Sequence, residues 1–307
     1  MPLTSATPIA TPQRGQRRTE NGKALLFMAL GMFIFSAVDT QAKFLTETLH
    51  PIQITWTRQL GLLAAACALL AIHGRGLLIT GHPVLQVTRG AVAAGSATLF
   101  IVAVQYVPLA DAVAVSFVAP FLVTLLGALV LREPVGLRRW AAVIIGFLGT
   151  VIVIRPGFGV VHPAAFLVII AAVLFAVRQI ISRALSDTDR TVTTIVYTAF
   201  VGSAILTLPL PFVWHTPETA LEITLLFTIA IMAGAAEICV IKALEMGLAV
   251  VVAPVQYTLM VWGTLYGFLV FGQLPDGWTW VGTAIIISTG LYTLHRERLA
   301  SRKRTGK

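Results

Sequence analysis

The chain has 307 residues, 57% of them hydrophobic and only 11% charged, at a mean hydropathy of +0.87. A soluble domain carries roughly 25% charged residues, so this composition excludes one and leaves a polytopic membrane protein with no length to spare for a water-soluble catalytic domain. The net charge of +9 would suggest nucleic acid in a soluble protein. Here the basic residues sit in the tails and at the ends of apolar runs, where they report orientation in a lipid bilayer, so no nucleic-acid partner is expected.

Residues 1–22 form a tail rich in Pro, Thr and Arg that closes on RGQRRTEN. It resembles the charged start of a signal peptide, but the apolar run that follows is of full span length and is taken as the first span. A bilayer core about 30 Å thick needs roughly 20 apolar residues per helix. On that measure ten spans are expected, at 23–46, 51–73, 83–106, 108–131, 137–155, 163–185, 191–213, 220–243, 248–271 and 278–295. Pro51, Pro83, Pro108 and Pro163 fall in first turns, where a missing N–H costs little. The fold class expected is an all-α membrane protein.

The stretch from Pro108 to Arg155 occurs twice. A shift of 140 positions lays Val115 on Val255, Thr124 on Thr264, Gly127 on Gly267 and Trp140 on Trp280 without a gap. The same shift pairs Lys43 with Arg183, so residues 23–156 and 157–295 read as two five-helix repeats, followed by a basic tail at 296–307. Five is odd, and the second copy therefore enters the bilayer inverted. With both termini cytoplasmic, 17 Lys and Arg fall on the inner side against two, Lys43 and Arg155, on the outer. Inverted repeats let one central site face either side in turn, which points to alternating-access transport across a bacterial inner membrane, with a channel as the competing use of such repeats.

The element APFLVTLLGALVLREP, with Pro120 thirteen residues before Glu133, resembles the EamA group of the drug/metabolite transporter superfamily. So do APVQYTLMVWG near the end of the chain and the tryptophans that open spans 5 and 10. The resemblance covers essentially all ten spans. The second copy departs from it, with Gln273 at the position of Glu133 and Met260 at that of Pro120. As a whole the chain is most similar to amino-acid exporters of the YddG type, which favour aromatic and other neutral amino acids. The resemblance implies a cavity between the halves, lined mainly by spans 1, 3, 4, 6, 8 and 9, with 5 and 10 peripheral.

No Walker-type loop is present, and all six histidines fall at span ends. Cys67 and Cys239 lie apart in apolar runs, so no cofactor, no metal site and no catalytic apparatus are expected. Charges inside spans are expensive and face a cavity or a partner. Asp39 and Lys43, four apart on span 1, share a face and either line the cavity or neutralise one another near the outer surface. Arg178, mid-span, either holds a substrate carboxylate or pairs with helix-end carbonyls. Glu237, the isolated acid deep in span 8, accepts an ammonium or a proton, or pairs with Arg178 or Arg58. Arg58 and Arg89 read as helix-end arginines that snorkel.

Span 9 sets Gln256, Tyr257, Trp262 and Tyr266 inside the bilayer, away from the interface that Trp and Tyr prefer, and they are candidates for the cavity wall or for packing. Pro120 and Pro254 are candidate hinges. The expected activity is export of small neutral or zwitterionic metabolites, foremost amino acids. Export of cationic or lipophilic drugs is the alternative within the class, and a membrane enzyme or scaffold the alternative outside it. A homodimer is left open.

Overall fold

The computed structural model describes residues 21–132, 136–155, 162–185, 188–247 and 249–305. Glu133, Leu248 and the basic tail run up to Glu20 lie outside the described residues. Each stretch expected to span is helical, and the described residues contain no strand. The helices are α1 (Asn21–Leu45), α2 (Pro51–His73), α3 (Pro83–Tyr106), α4 (Leu109–Ser116), α5 (Ala119–Val130), α6 (Leu137–Ile154) and α7 (Ala165–Leu185). After them come α8 (Thr191–Thr207), α9 (Leu210–Val213), α10 (Ala220–Met246), α11 (Ala249–Val252), α12 (Thr258–Phe271) and α13 (Gly277–Thr305).

Six segments are long and apolar enough to cross a bilayer unaided: α1, α2, α3, Leu109–Val130, α7 and Ala220–Leu244. Trp140–Ile154 and Thr191–Thr207 are shorter apolar helices. Helix starts follow local chemistry. Pro51 and Pro83 occupy first turns, the His50 Nδ1 accepts the Ile52 N–H at 3.2 Å, and Thr219 with Glu222 makes a capping box on α10.

Three expected spans are not continuous, and proline is the common cause. Residues 108–131 break at Phe117–Val118, just before Pro120 in the first turn of α5. Residues 191–213 break at Leu208–Pro209, between α8 and α9. Residues 249–271 pass from α11 through a 3-10 turn, Ala253–Tyr257, that carries Pro254. Each proline withdraws an N–H from the ladder and crowds the preceding turn. At the other extreme α13 runs on to Thr305, beyond its expected end at 295.

Helix α1 lies along α10, α3 along α7 and α6 along α13, while α2 crosses α10 and α8 crosses α3. Lipid supplies no hydrophobic drive between helices, so close van der Waals approach holds such crossings together. A Cβ on Gly61 would run into the backbone oxygen of Ala230, which brings the α2 and α10 backbones into contact. At the second crossing a Cβ on Gly90 would lie 2.7 Å from that of Val201. The shift of 140 turns the first pair, Gly61 and Ala230, into the second, Val201 and Gly90, with the glycine on the other partner.

Candidate functional site

Helices α2, α3, α8 and α10, crossing as described, enclose with α1 and α7 a cavity of about 110 Å³. The face of α2 that meets it carries Thr55, Arg58, Gln59 and Leu62, one helical stripe. From α3 come Arg89, Ala93, Ala94 and Ala97, and from α10 Ala233 and Glu237. Phe35 of α1, Arg178 of α7, and Ile195 and Thr198 of α8 complete the wall. Alanine at successive turns of α3 leaves the space that the arginines share. Under the shift of 140, Thr55 falls on Ile195, Arg58 on Thr198, Ala93 on Ala233 and Ala97 on Glu237, so much of the lining maps onto itself.

The charges are held unevenly. Arg58 donates from Nη1 to Asp39 Oδ1 at 3.1 Å, and its guanidinium lies 5.7 Å from the Phe35 ring. Asp39 itself is only 8% exposed. Arg89 donates to Ser182 Oγ at 2.7 Å, to the Thr194 carbonyl at 3.5 Å and to Thr198 Oγ1. Arg178 sits 5.1 Å from the Phe175 ring, and its buried Nε has no hydrogen-bond partner among the described residues. The Glu237 carboxylate faces the cavity with no hydrogen bond or ion pair among the described residues. One free guanidinium and one free carboxylate therefore look into one small chamber.

Arg178 and Glu237 come together at the cavity, with Asp39 behind Arg58. Arg58 and Arg89, read from sequence as snorkelling helix-end residues, line it as well. The missed signal was the stripe Thr55, Arg58, Gln59: polar residues on one face of an otherwise apolar helix. Lys43 is elsewhere. Its Nζ donates to the carbonyls of Val104 at 2.8 Å and Val107 at 2.6 Å and lies 5.4 Å from the Phe271 ring, which ties α1 to the last turn of α3.

The aromatic set of α12 does not reach the cavity wall. Trp262 meets Phe33 of α1 edge-on at 5.1 Å, Tyr266 lies 5.8 Å from the same ring, and the Trp262 Nε1 is buried without a partner. Tyr257 stacks on Phe117, and Gln256 lies beside it in the 3-10 turn. Pro120 and Pro254 stand at the two helix interruptions. The wall is thus drawn from the helices of expected spans 1, 2, 3, 6, 7 and 8, without 4 and 9.

Beyond one end of the cavity, at the α1–α2 turn, lies a second hollow, lined in part by Glu47, His50, Tyr106 and His215. Gln53 and His215 bridge that end reciprocally, side chain to backbone, at 2.8 and 3.0 Å. At the opposite end Asp189 accepts hydrogen bonds from Thr80 Oγ1 and, at 2.6 Å, from Gln86 Nε2.

An apolar helical bundle closed around a charged chamber is the build of a multi-pass membrane protein that moves small metabolites, rather than of an enzyme. The chain belongs to the EamA-like transporter family of the drug/metabolite transporter superfamily, which matches it twice, over residues 22–155 and 162–294. It is 26% identical to an S-adenosylmethionine uptake transporter of Rickettsia felis over 280 residues, 89% of this chain and 95% of that one. It is 31% identical to a riboflavin transporter of Vibrio cholerae over 198 residues, 64% and 66% of the two chains. It is 26% identical to a pseudopaline exporter of Pseudomonas aeruginosa over 267 residues, 86% and 93%. A crystal structure with 20% identity superposes with a TM-score of 0.62 over 91% of this chain and 99% of that one, a likeness of fold alone.

Proposed function

We propose that this chain is a secondary transporter that exports small zwitterionic metabolites, foremost amino acids, across a bacterial inner membrane by alternating access. The observation that carries this reading is that the Arg178 guanidinium and the Glu237 carboxylate share one chamber with no hydrogen bond or ion pair to any of the described residues. An α-amino acid presents a carboxylate to the first and an ammonium to the second. A guanidinium takes a carboxylate with two parallel N–H bonds, which fixes orientation as well as charge.

The mechanism rests on a proposed arrangement of ten spans in two inverted five-helix repeats. The family matches twice, the tight helix crossings exchange under the shift of 140, and lining residues fall on lining residues. A site on such an axis is presented alike to either side. The count of basic residues supports cytoplasmic termini, which puts the Thr80 end inside and the His50 end outside. Three guanidinium groups in the wall weigh against cationic drugs. The test is exchange of a labelled mixture of the common amino acids in proteoliposomes, with and without Arg178→Ala. Uptake by the wild type and its loss in the variant support the reading, and an exchange-inactive wild type ends it.

A further inference from the structure

We infer that the cavity is made for a substrate of net charge −1, of the class that carries two acidic groups and one ammonium, as an amino-dicarboxylate does; this rests on the cavity being the substrate site. The wall and its immediate support hold three guanidinium groups, Arg58, Arg89 and Arg178, against two carboxylates, Asp39 and Glu237. Arg58 is matched by Asp39 at 3.1 Å. Arg89 hydrogen-bonds neutral groups, the hydroxyls of Ser182 and Thr198 and one carbonyl, and feels the Glu237 carboxylate only through space. Arg178 has no hydrogen-bonded counter-ion at all among the described residues. Glu237 balances one of these two arginines, and one positive charge remains.

A zwitterion leaves that surplus untouched, because its own charges cancel. A molecule with a second acid removes it. The ammonium goes to Glu237, the first carboxylate to Arg178, and the second is left for Arg89. Apart from the charged groups, the wall offers only Thr55, Gln59 and Thr198 as polar side chains among alanine, leucine, isoleucine and phenylalanine, so an unbalanced charge is less well solvated than in water and the difference reads out as selectivity.

The experiment compares substrates that match in size and differ in one charge. Proteoliposomes of the full chain are loaded with unlabelled amino acid, and exchange of labelled aspartate is measured against asparagine, and glutamate against glutamine. Aspartate is expected to exchange about tenfold better than asparagine, equivalent to 1.4 kcal/mol. Arg89→Gln, with its folding checked by gel filtration, removes the surplus and the partner of the second acid while leaving Arg178 and Glu237 in place, and brings each ratio down to near equality. Asparagine exchanged as well as aspartate by the wild type, or an unchanged ratio in the folded variant, overturns the inference while amino-acid transport stands. Absence of exchange for every amino acid overturns the transport reading itself.

Discussion

Phe117 and Tyr257 stack on one another, with ring centroids 4.9 Å apart and planes 23° apart, and the shift of 140 makes them the same position in the two copies. Two points exchanged by a rotation touch only where both lie beside its axis. In the proposed inverted arrangement this stack marks the axis, between the α4–α5 break and the 3-10 turn. A Cβ on Gly290 of α13 would run into the Tyr257 hydroxyl. Gly290→Ala is expected to lower stability by about 1–3 kcal/mol, the usual cost of overpacking. Tyr257→Phe removes the hydroxyl but leaves Cζ 2.5 Å from the added carbon, and should restore only part of it. Thermal unfolding in detergent of the two single variants and the double variant measures the coupling.

Asp39 is buried and its partner Arg58 half-buried in the cavity wall, and removing one partner strands the other. Asp39→Asn is expected to cost about 3–5 kcal/mol. The double variant Asp39→Leu with Arg58→Met should regain most of that stability and still fail to transport. Unfolding in denaturant, set beside exchange in proteoliposomes, separates the two effects.

Lys43 ties α1 to the C-terminal end of α3, toward the His50 end, by donating to the carbonyls of Val104 and Val107. Lys43→Met keeps the stem and loses the tie. A cysteine placed at Thr55, in a Cys67→Ser background, should then react several-fold faster with a membrane-impermeant thiol reagent added from that side. An unchanged rate would show that the tie does not govern entry.

His50 caps α2 through a bare Nδ1, and burial, then the neighbouring His215, hold its pKa below the ordinary histidine value. The unfolded chain therefore takes up the proton first. The contribution of His50 to stability is complete above the ordinary value of about 6.5 and is lost as pH falls toward the lower folded value. Unfolding temperatures measured from pH 8 to 5 should show this decline, and His50→Asn, which caps without titrating, should flatten it.

Charge also sets direction. A monoanion leaving an inside-negative cell gains about 2.3 kcal/mol per 100 mV, roughly a 50-fold gradient. Net efflux of aspartate from proteoliposomes should follow an imposed potassium-diffusion potential, and net efflux of asparagine should ignore it.

The helices were legible because apolar runs and first-turn prolines are strong signals. Pro51–His73 and Pro83–Tyr106 stand at the bounds the sequence suggests. The place of Arg178 and Glu237 in the cavity wall was legible for a related reason, since a charge deep in a span is costly and turns toward a cavity or a partner. Arg58 and Arg89 were not. Both sit near enough to helix ends to snorkel, and a helix that is apolar on nearly every face gives no periodicity to tell lipid from cavity. The α12 aromatics misled in the opposite sense. A central tryptophan looks like a cavity wall, whereas Trp262 rests on Phe33, a contact made by another helix 229 positions away in the sequence.

At Gly61 against Ala230, and again at Gly90 against Val201, two helices meet with no side chain between them on one side. Such junctions behave as axles: the rods can roll about the point of contact, but parting them would uncover bare peptide to hydrocarbon. Because the four rods so joined also wall the chamber, rolling about these two contacts costs less than spreading the bundle as a way to widen its mouth.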